Sequence, residues 1–98
     1  MKTTIKENSY FDGKVKSLGF PGRHLPSSVG VMSAGQYQFN TEAKETMSIV
    51  AGELEVKLPG DTGFQVFSEG QAFEVEANSR FDVKVGNHCA YLCQYHTD

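Results

Sequence analysis

Strict alternation of polarity over short runs, with no convincing 3.6-residue period anywhere, is the feature that most constrains this chain. In Gln36-Tyr37-Gln38-Phe39-Asn40-Thr41 an extended backbone sends Tyr37, Phe39 and Thr41 to one face and the amides to the other. Leu54, Val56 and Leu58 alternate with Glu53, Glu55 and Lys57 in the same way, and Phe81, Val83 and Val85 alternate with Arg80, Asp82 and Lys84. A helix would scatter these apolar residues round its axis, whereas a strand gathers them on one side.

Shorter runs of this kind cover residues 13–19, 28–33, 46–51, 64–67, 71–75 and 89–95. Turn chemistry separates them: Ala51-Gly52, Pro59-Gly60-Asp61-Thr62-Gly63, Glu69-Gly70 and Ala77-Asn78-Ser79. About nine strands at this spacing predict an all-β chain, either a sandwich or a small closed barrel. With 98 residues and no linker or repeat, one domain over residues 1–98 is expected, with a polar and mobile segment at residues 1–8.

Composition then excludes several function classes. Twelve acidic against nine basic side chains give a net charge of -3, the wrong sign for nucleic acid or an anionic membrane as the main partner. No run approaches the roughly 20 apolar residues of a membrane helix, and the start of the chain has no apolar stretch of a secretory signal. On one strand Cys89 and Cys93 would stand about 13 Å apart, too far to bridge, so both read as buried thiols of a reducing, cytoplasmic protein.

One residue breaks the pattern. In Glu45-Thr46-Met47-Ser48-Ile49, alternation places Glu45 on the face of Met47 and Ile49. A carboxylate on an inward face either sits at the barrel mouth, solvated or ion-paired, or points into a cavity where it needs partners or a ligand. The Gly–Glu–Gly rhythm resembles the cupin jelly-roll barrels, whose first motif runs histidine, any, histidine, three or four residues, glutamate, six residues, glycine. Glu45 and Gly52 match its second half, and Gly70 matches the opening of the second motif. The three histidine places fall on Phe39, Thr41 and Phe81, which cannot hold a transition metal. His24, His88 and His96 lie in loop-like or terminal places without ligand spacing, so no metal is expected.

The likeness sharpens along the whole chain. Tyr10-Phe11-Asp12-Gly13-Lys14-Val15, Val29-Gly30-Val31-Met32, Gly35-Gln36-Tyr37-Gln38-Phe39, then Thr41, Glu45 and Met47, follow in order. Gly52-Glu53-Leu54-Glu55-Val56-Lys57-Leu58-Pro59, then Phe73, Val75, Asn78, Ser79 and Phe81, and finally Tyr91-Leu92-Cys93-Gln94-Tyr95, complete the series. The chain thus resembles the pyrimidine/purine nucleoside phosphorylase family of small metal-free cupins. It departs from that pattern at Glu76 and His88, at Phe64, and in the loop Pro21-Gly22-Arg23-His24-Leu25-Pro26-Ser27-Ser28. The resemblance implies a cupin-like jelly-roll β-barrel and a homodimer. It also implies phosphorolysis of varied purine and pyrimidine nucleosides to free base and ribose 1-phosphate, with inorganic phosphate as co-substrate and no cofactor.

Phosphorolysis needs no enzyme nucleophile, because phosphate attacks the anomeric carbon through an oxocarbenium-like transition state. Glu45 is the catalytic candidate, placed to accept ribose hydroxyls and to favour the developing cation. Tyr37, Phe39, Thr41, Met47, Phe81 and Tyr91 are the candidate substrate-binding residues, their rings tolerant of any base. Arg23, with His24 beside it, is the candidate phosphate ligand, since a guanidinium fork suits phosphate oxygens; Arg80 precedes an inward Phe81 and is expected to face out. A non-catalytic cupin that binds a small ligand in the same pocket is the alternative.

Overall fold

The computed structural model describes residues 5–97. Ten strands occupy them: β1 (Lys6–Tyr10), β2 (Val15–Phe20), β3 (Ser27–Met32), β4 (Gly35–Asn40), β5 (Glu45–Ala51), β6 (Glu53–Lys57), β7 (Gln65–Ser68), β8 (Ala72–Val75), β9 (Arg80–Val85) and β10 (Cys89–Tyr95). Every pairing is antiparallel. A six-stranded sheet runs β1-β2-β3-β10-β5-β8, and a four-stranded sheet runs β4-β9-β6-β7. No helix among the described residues is long and apolar enough to cross a membrane.

The alternating runs became strands, and their inward faces close on each other. Met47 and Ile49 of β5, Phe73 and Val75 of β8 and Cys89, Tyr91 and Cys93 of β10 come from the large sheet; Leu54, Val56, Phe81, Val83 and Val85 come from the small one. Phe73 touches Phe67 and Phe81 across the gap, with ring centroids 4.8 and 6.3 Å apart. Burying each such side chain stabilises the fold by about 1.5–3 kcal/mol.

The turn signals also act as read. Pro59 and Gly60 turn between β6 and β7, where the Leu58 and Asp61 residues bond each other twice, through Asp61 N–H to the Leu58 carbonyl and Leu58 N–H to the Asp61 carboxylate. Gly52, at φ +84, links β5 to β6, and a Cβ there would overlap the His88 carbonyl.

The N-terminal edge differs from expectation. Lys6–Asn8, read as part of a mobile segment, belong to β1 and pair with β2 from Lys6↔Gly19 to Tyr10↔Val15. β1 is exposed on both faces, apart from a half-covered Asn8, so it carries no period-2 signal; backbone pairing alone defines it. Ile5 precedes the strand and is exposed, and residues 1–4 of that segment lie outside the described residues.

Candidate active site

Between the two sheets lies a cavity of about 470 Å³, within the size range of small-molecule sites. Its floor comes from the central strands of the large sheet. Met47 of β5 stands opposite Cys93 of β10, Glu45 opposite Tyr95, and Tyr91 opposite Ile49. The last register follows a bulge at Ala90/Tyr91 that leaves Val50 outside the ladder, and bulges commonly re-aim side chains beside a site. On its other side Tyr91 crosses β3 at Gly30, where a Cβ would overlap the phenol.

The facing wall is aromatic. Phe39 of β4 and Phe81 of β9 are register partners, with ring centroids 5.7 Å apart. Two of the three histidine places of the cupin motifs are therefore a phenylalanine pair in tilted contact, 33° between planes. Among the described residues no group of three or more His, Cys, Asp or Glu side chains could hold a metal ion.

Glu45 is half-buried at the start of β5 and lines this cavity. The Cys93 thiol donates to its Oε1 at 3.4 Å. Burial pushes the Glu45 carboxyl above its ordinary range, and the Cys93 bond opposes that rise. Burial likewise raises the Cys93 thiol and the Tyr95 phenol, and pushes Tyr91 up to about 12. These three groups are neutral near pH 7, so among the described residues Glu45 is the one lining side chain that carries charge there. Tyr95 shares a 2.9 Å hydrogen bond with Ser28 Oγ, which fixes its ring over the site.

Of the candidates read from the sequence, Glu45, Phe39, Met47, Phe81 and Tyr91 line the cavity together. Tyr37 and Thr41 face inward but stand in the wall, each 4% exposed. The Tyr37 hydroxyl donates to the Ser33 carbonyl at 2.8 Å; the Thr41 hydroxyl donates to the Glu76 carbonyl at 2.6 Å and accepts from Ser79 N–H. Arg23 and His24 are exposed in the β2–β3 loop and do not line the cavity. That loop does meet the Glu45 end of the large sheet, since Tyr95, the partner of Glu45, donates its N–H to the Pro26 carbonyl. Arg80 faces out.

Sequence reading missed Ser17, Met32, Cys93 and Tyr95, although alternation from Tyr91 reaches Cys93 and Tyr95 directly. It also missed Tyr10, Phe11, Gln38 and Asn40 at the rim. Gln38 and Asn40 lie on the supposed outer face of β4, but β4 is an edge strand and its outer face borders the opening. Gln38 Nε2 donates to Asp82 at 2.9 Å, which orients it there.

Residues 5–95 match the family described as Pyrimidine/purine nucleoside phosphorylase. The chain belongs to this family. A pyrimidine/purine nucleoside phosphorylase of Magnetococcus marinus is 55% identical over 91 residues, 93% of this chain and 98% of the relative. The crystal structure of a protein of unknown function from Vibrio parahaemolyticus superposes with a TM-score of 0.91 at 49% identity, over 95% of this chain and 99% of that one. An RmlC-like cupin from Shewanella frigidimarina superposes with a TM-score of 0.72 at 15% identity, over 96% of this chain and 83% of the other, a likeness of fold alone. This member of the nucleoside phosphorylase family is thus a cupin-like jelly roll with phenylalanines and a threonine at the places where that motif has histidines.

Proposed function

We propose that the cavity phosphorolyses purine and pyrimidine nucleosides, with inorganic phosphate as the second substrate. The observation that carries this is one ionisable carboxylate, Glu45, sharing a cavity of nucleoside size with a packed aromatic pair, Phe39 and Phe81. A ring stack recognises the π-face that all bases share, which suits a site serving both classes. Relatives that carry the phosphorylase name at about half identity support the reading.

In this reading the base packs against Phe39 and Phe81, with Met47 and Tyr91 beneath. The ionised Glu45 accepts ribose hydroxyls and favours positive charge on the sugar as the bond to the base breaks. A phosphate oxygen forms the new bond to the anomeric carbon, and the electron pair of the old bond leaves with the base. Tyr37 and Thr41 act through the wall they brace. Phosphate enters from the rim at the Glu45 end, where the Arg23 loop meets the sheet; Arg23 and His24 are its proposed ligands. No cofactor takes part.

The protein is further proposed to be a cytoplasmic homodimer. Both cysteines are free and buried, in keeping with a reducing compartment. The outer face of the large sheet exposes Leu18 (47%) and Val29 (43%) as register partners, next to Val31.

Base release from inosine and uridine, followed with and without phosphate, tests the reaction. Release that requires phosphate and yields ribose 1-phosphate is expected. Saturable nucleoside binding without turnover would instead make the protein a binding cupin.

A further inference from the structure

We propose that Phe11, at the tip of the β1–β2 hairpin, is a substrate-binding residue whose ring packs on the base held in the cavity. The inference rests on the phosphorylase reading and adds a wall to that site.

The backbone is the first observation. Tyr10 to Gly13 form a tight turn closed by Gly13 N–H donating to the Tyr10 carbonyl at 3.1 Å. Phe11, Asp12 and Gly13 have φ +54°, +56° and +85°, three consecutive left-handed residues in the turn between β1 and β2. Such turns favour Asn, Asp and Gly, and Asp12 conforms. A bulky ring in the left-handed region is an outlier, strained where glycine would be relaxed. Strain of this kind persists only where the surroundings hold it, and it gathers at ligand sites.

The second observation is what the ring touches. Its centroid lies 4.9 Å from that of Tyr37 and 5.6 Å from that of Phe39, the latter edge-on at 87°. β1 is the edge of the large sheet and β4 the edge of the small one, and no backbone pairing joins them. Phe11 therefore spans the open side of the barrel by side-chain contact.

The third is exposure. Phe11 remains 42% exposed and lines the same cavity as Glu45, Phe39 and Phe81. A ring placed only to fill the core would be covered. This one presents free area beside the aromatic pair that receives the base. The turn that carries it is anchored beside the cavity: β2 pairs with β3, and the Lys14 carbonyl accepts from Ser33 N–H at 2.8 Å.

Steady-state phosphorolysis of inosine and uridine at saturating phosphate, with thermal melts, should be compared for wild type and for Phe11→Ala, Phe11→Gly, Phe11→Leu and Phe11→Tyr. Loss of a stacked ring should raise nucleoside KM about five- to hundred-fold in Phe11→Ala and Phe11→Gly, with kcat nearly unchanged. Phe11→Tyr should restore KM and Phe11→Leu should not. Phe11→Gly should melt no lower than Phe11→Ala, because φ +54° is relaxed for glycine, which keeps the test open if the alanine variant folds poorly. Unchanged KM in the alanine and glycine variants, or full rescue by leucine, would overturn the proposal. If wild type releases no base at all, the phosphorylase reading fails instead. Calorimetric binding of inosine then decides for Phe11: weaker binding by Phe11→Gly supports it, and equal or absent binding overturns it.

Discussion

The Cys93 thiol and the Glu45 carboxylate meet at 3.4 Å on adjacent strands, diagonal to each other across the β5–β10 ladder. The thiol satisfies one oxygen of a half-buried carboxylate without adding charge. The two groups shift each other: burial raises Glu45 and the Cys93 donor lowers it, while burial and then the nearby carboxylate raise Cys93.

Glu45→Gln should abolish most of the turnover. Removing one fixed electrostatic partner of a transition-state charge costs about 10²–10³ in kcat, and nucleoside KM should move much less. Steady-state assays with saturating phosphate give both constants. Activity near wild type would remove Glu45 from the mechanism.

The same substitution should change how stability depends on pH. The folded-state pKa of Glu45 is raised above the ordinary 4.5. Its contribution to stability is thus fully present below about pH 4.5 and is lost as pH rises through the folded value. Glu45→Gln should match wild type in Tm in acid and gain on it as pH rises toward neutrality. Melting curves from pH 4 to 8 in steps of about 0.5 will show whether the difference has that sign.

Cys93→Val removes the donor that lowers Glu45, so the acid limb of the kcat profile should move to higher pH. Cys93→Ser keeps a donor and should leave the limb near its wild-type position. A profile that is the same in all three proteins would show that the thiol only fills space.

Gly30→Ala places a methyl group where the Tyr91 phenol lies. Overpacking of this kind costs about 1–3 kcal/mol, and each kcal/mol lowers Tm by about 4–8 °C in a domain this small. Activity should fall with it, since Tyr91 must leave the cavity floor. Combined with Tyr91→Ala, the two losses should be less than additive, because Gly30→Ala has no ring to clash with once Tyr91 is truncated.

A Val29→Lys, Leu18→Glu variant should be monomeric if the outer face of the large sheet is the dimer surface. Both positions are exposed, so the change should leave the monomer fold intact. Sedimentation equilibrium separates the two masses. A wild-type monomer, or a dimer unaffected by the variant, would place the assembly surface elsewhere or remove it.

Much of the barrel was legible because strand alternation is a local property of backbone sterics. Nine runs of period 2 became β2 to β10, with ends displaced by at most two residues. β1 escaped because Lys6-Glu7-Asn8-Ser9-Tyr10 is polar on both faces, so only its partner strand identifies it. Alternation placed Glu45 inward with Met47, but it made no distinction between a side chain that lines a cavity and one that seals its wall. Tyr37 and Thr41 fall in the second class because their hydroxyls are taken by carbonyls of distant or irregular segments.

The residues by themselves determined an all-β chain, the inward carboxylate at Glu45, and phenylalanine or threonine in place of the three motif histidines. Tertiary structure alone decided that Phe39 and Phe81 pack as register partners, that Cys93 bonds Glu45, and that a left-handed Phe11 closes the gap between two sheet edges. The division has a physical basis. The direction of a side chain follows from its own backbone, whereas its neighbour follows from register, bulges and the approach of two sheets, which depend on pairings between residues far apart in the chain.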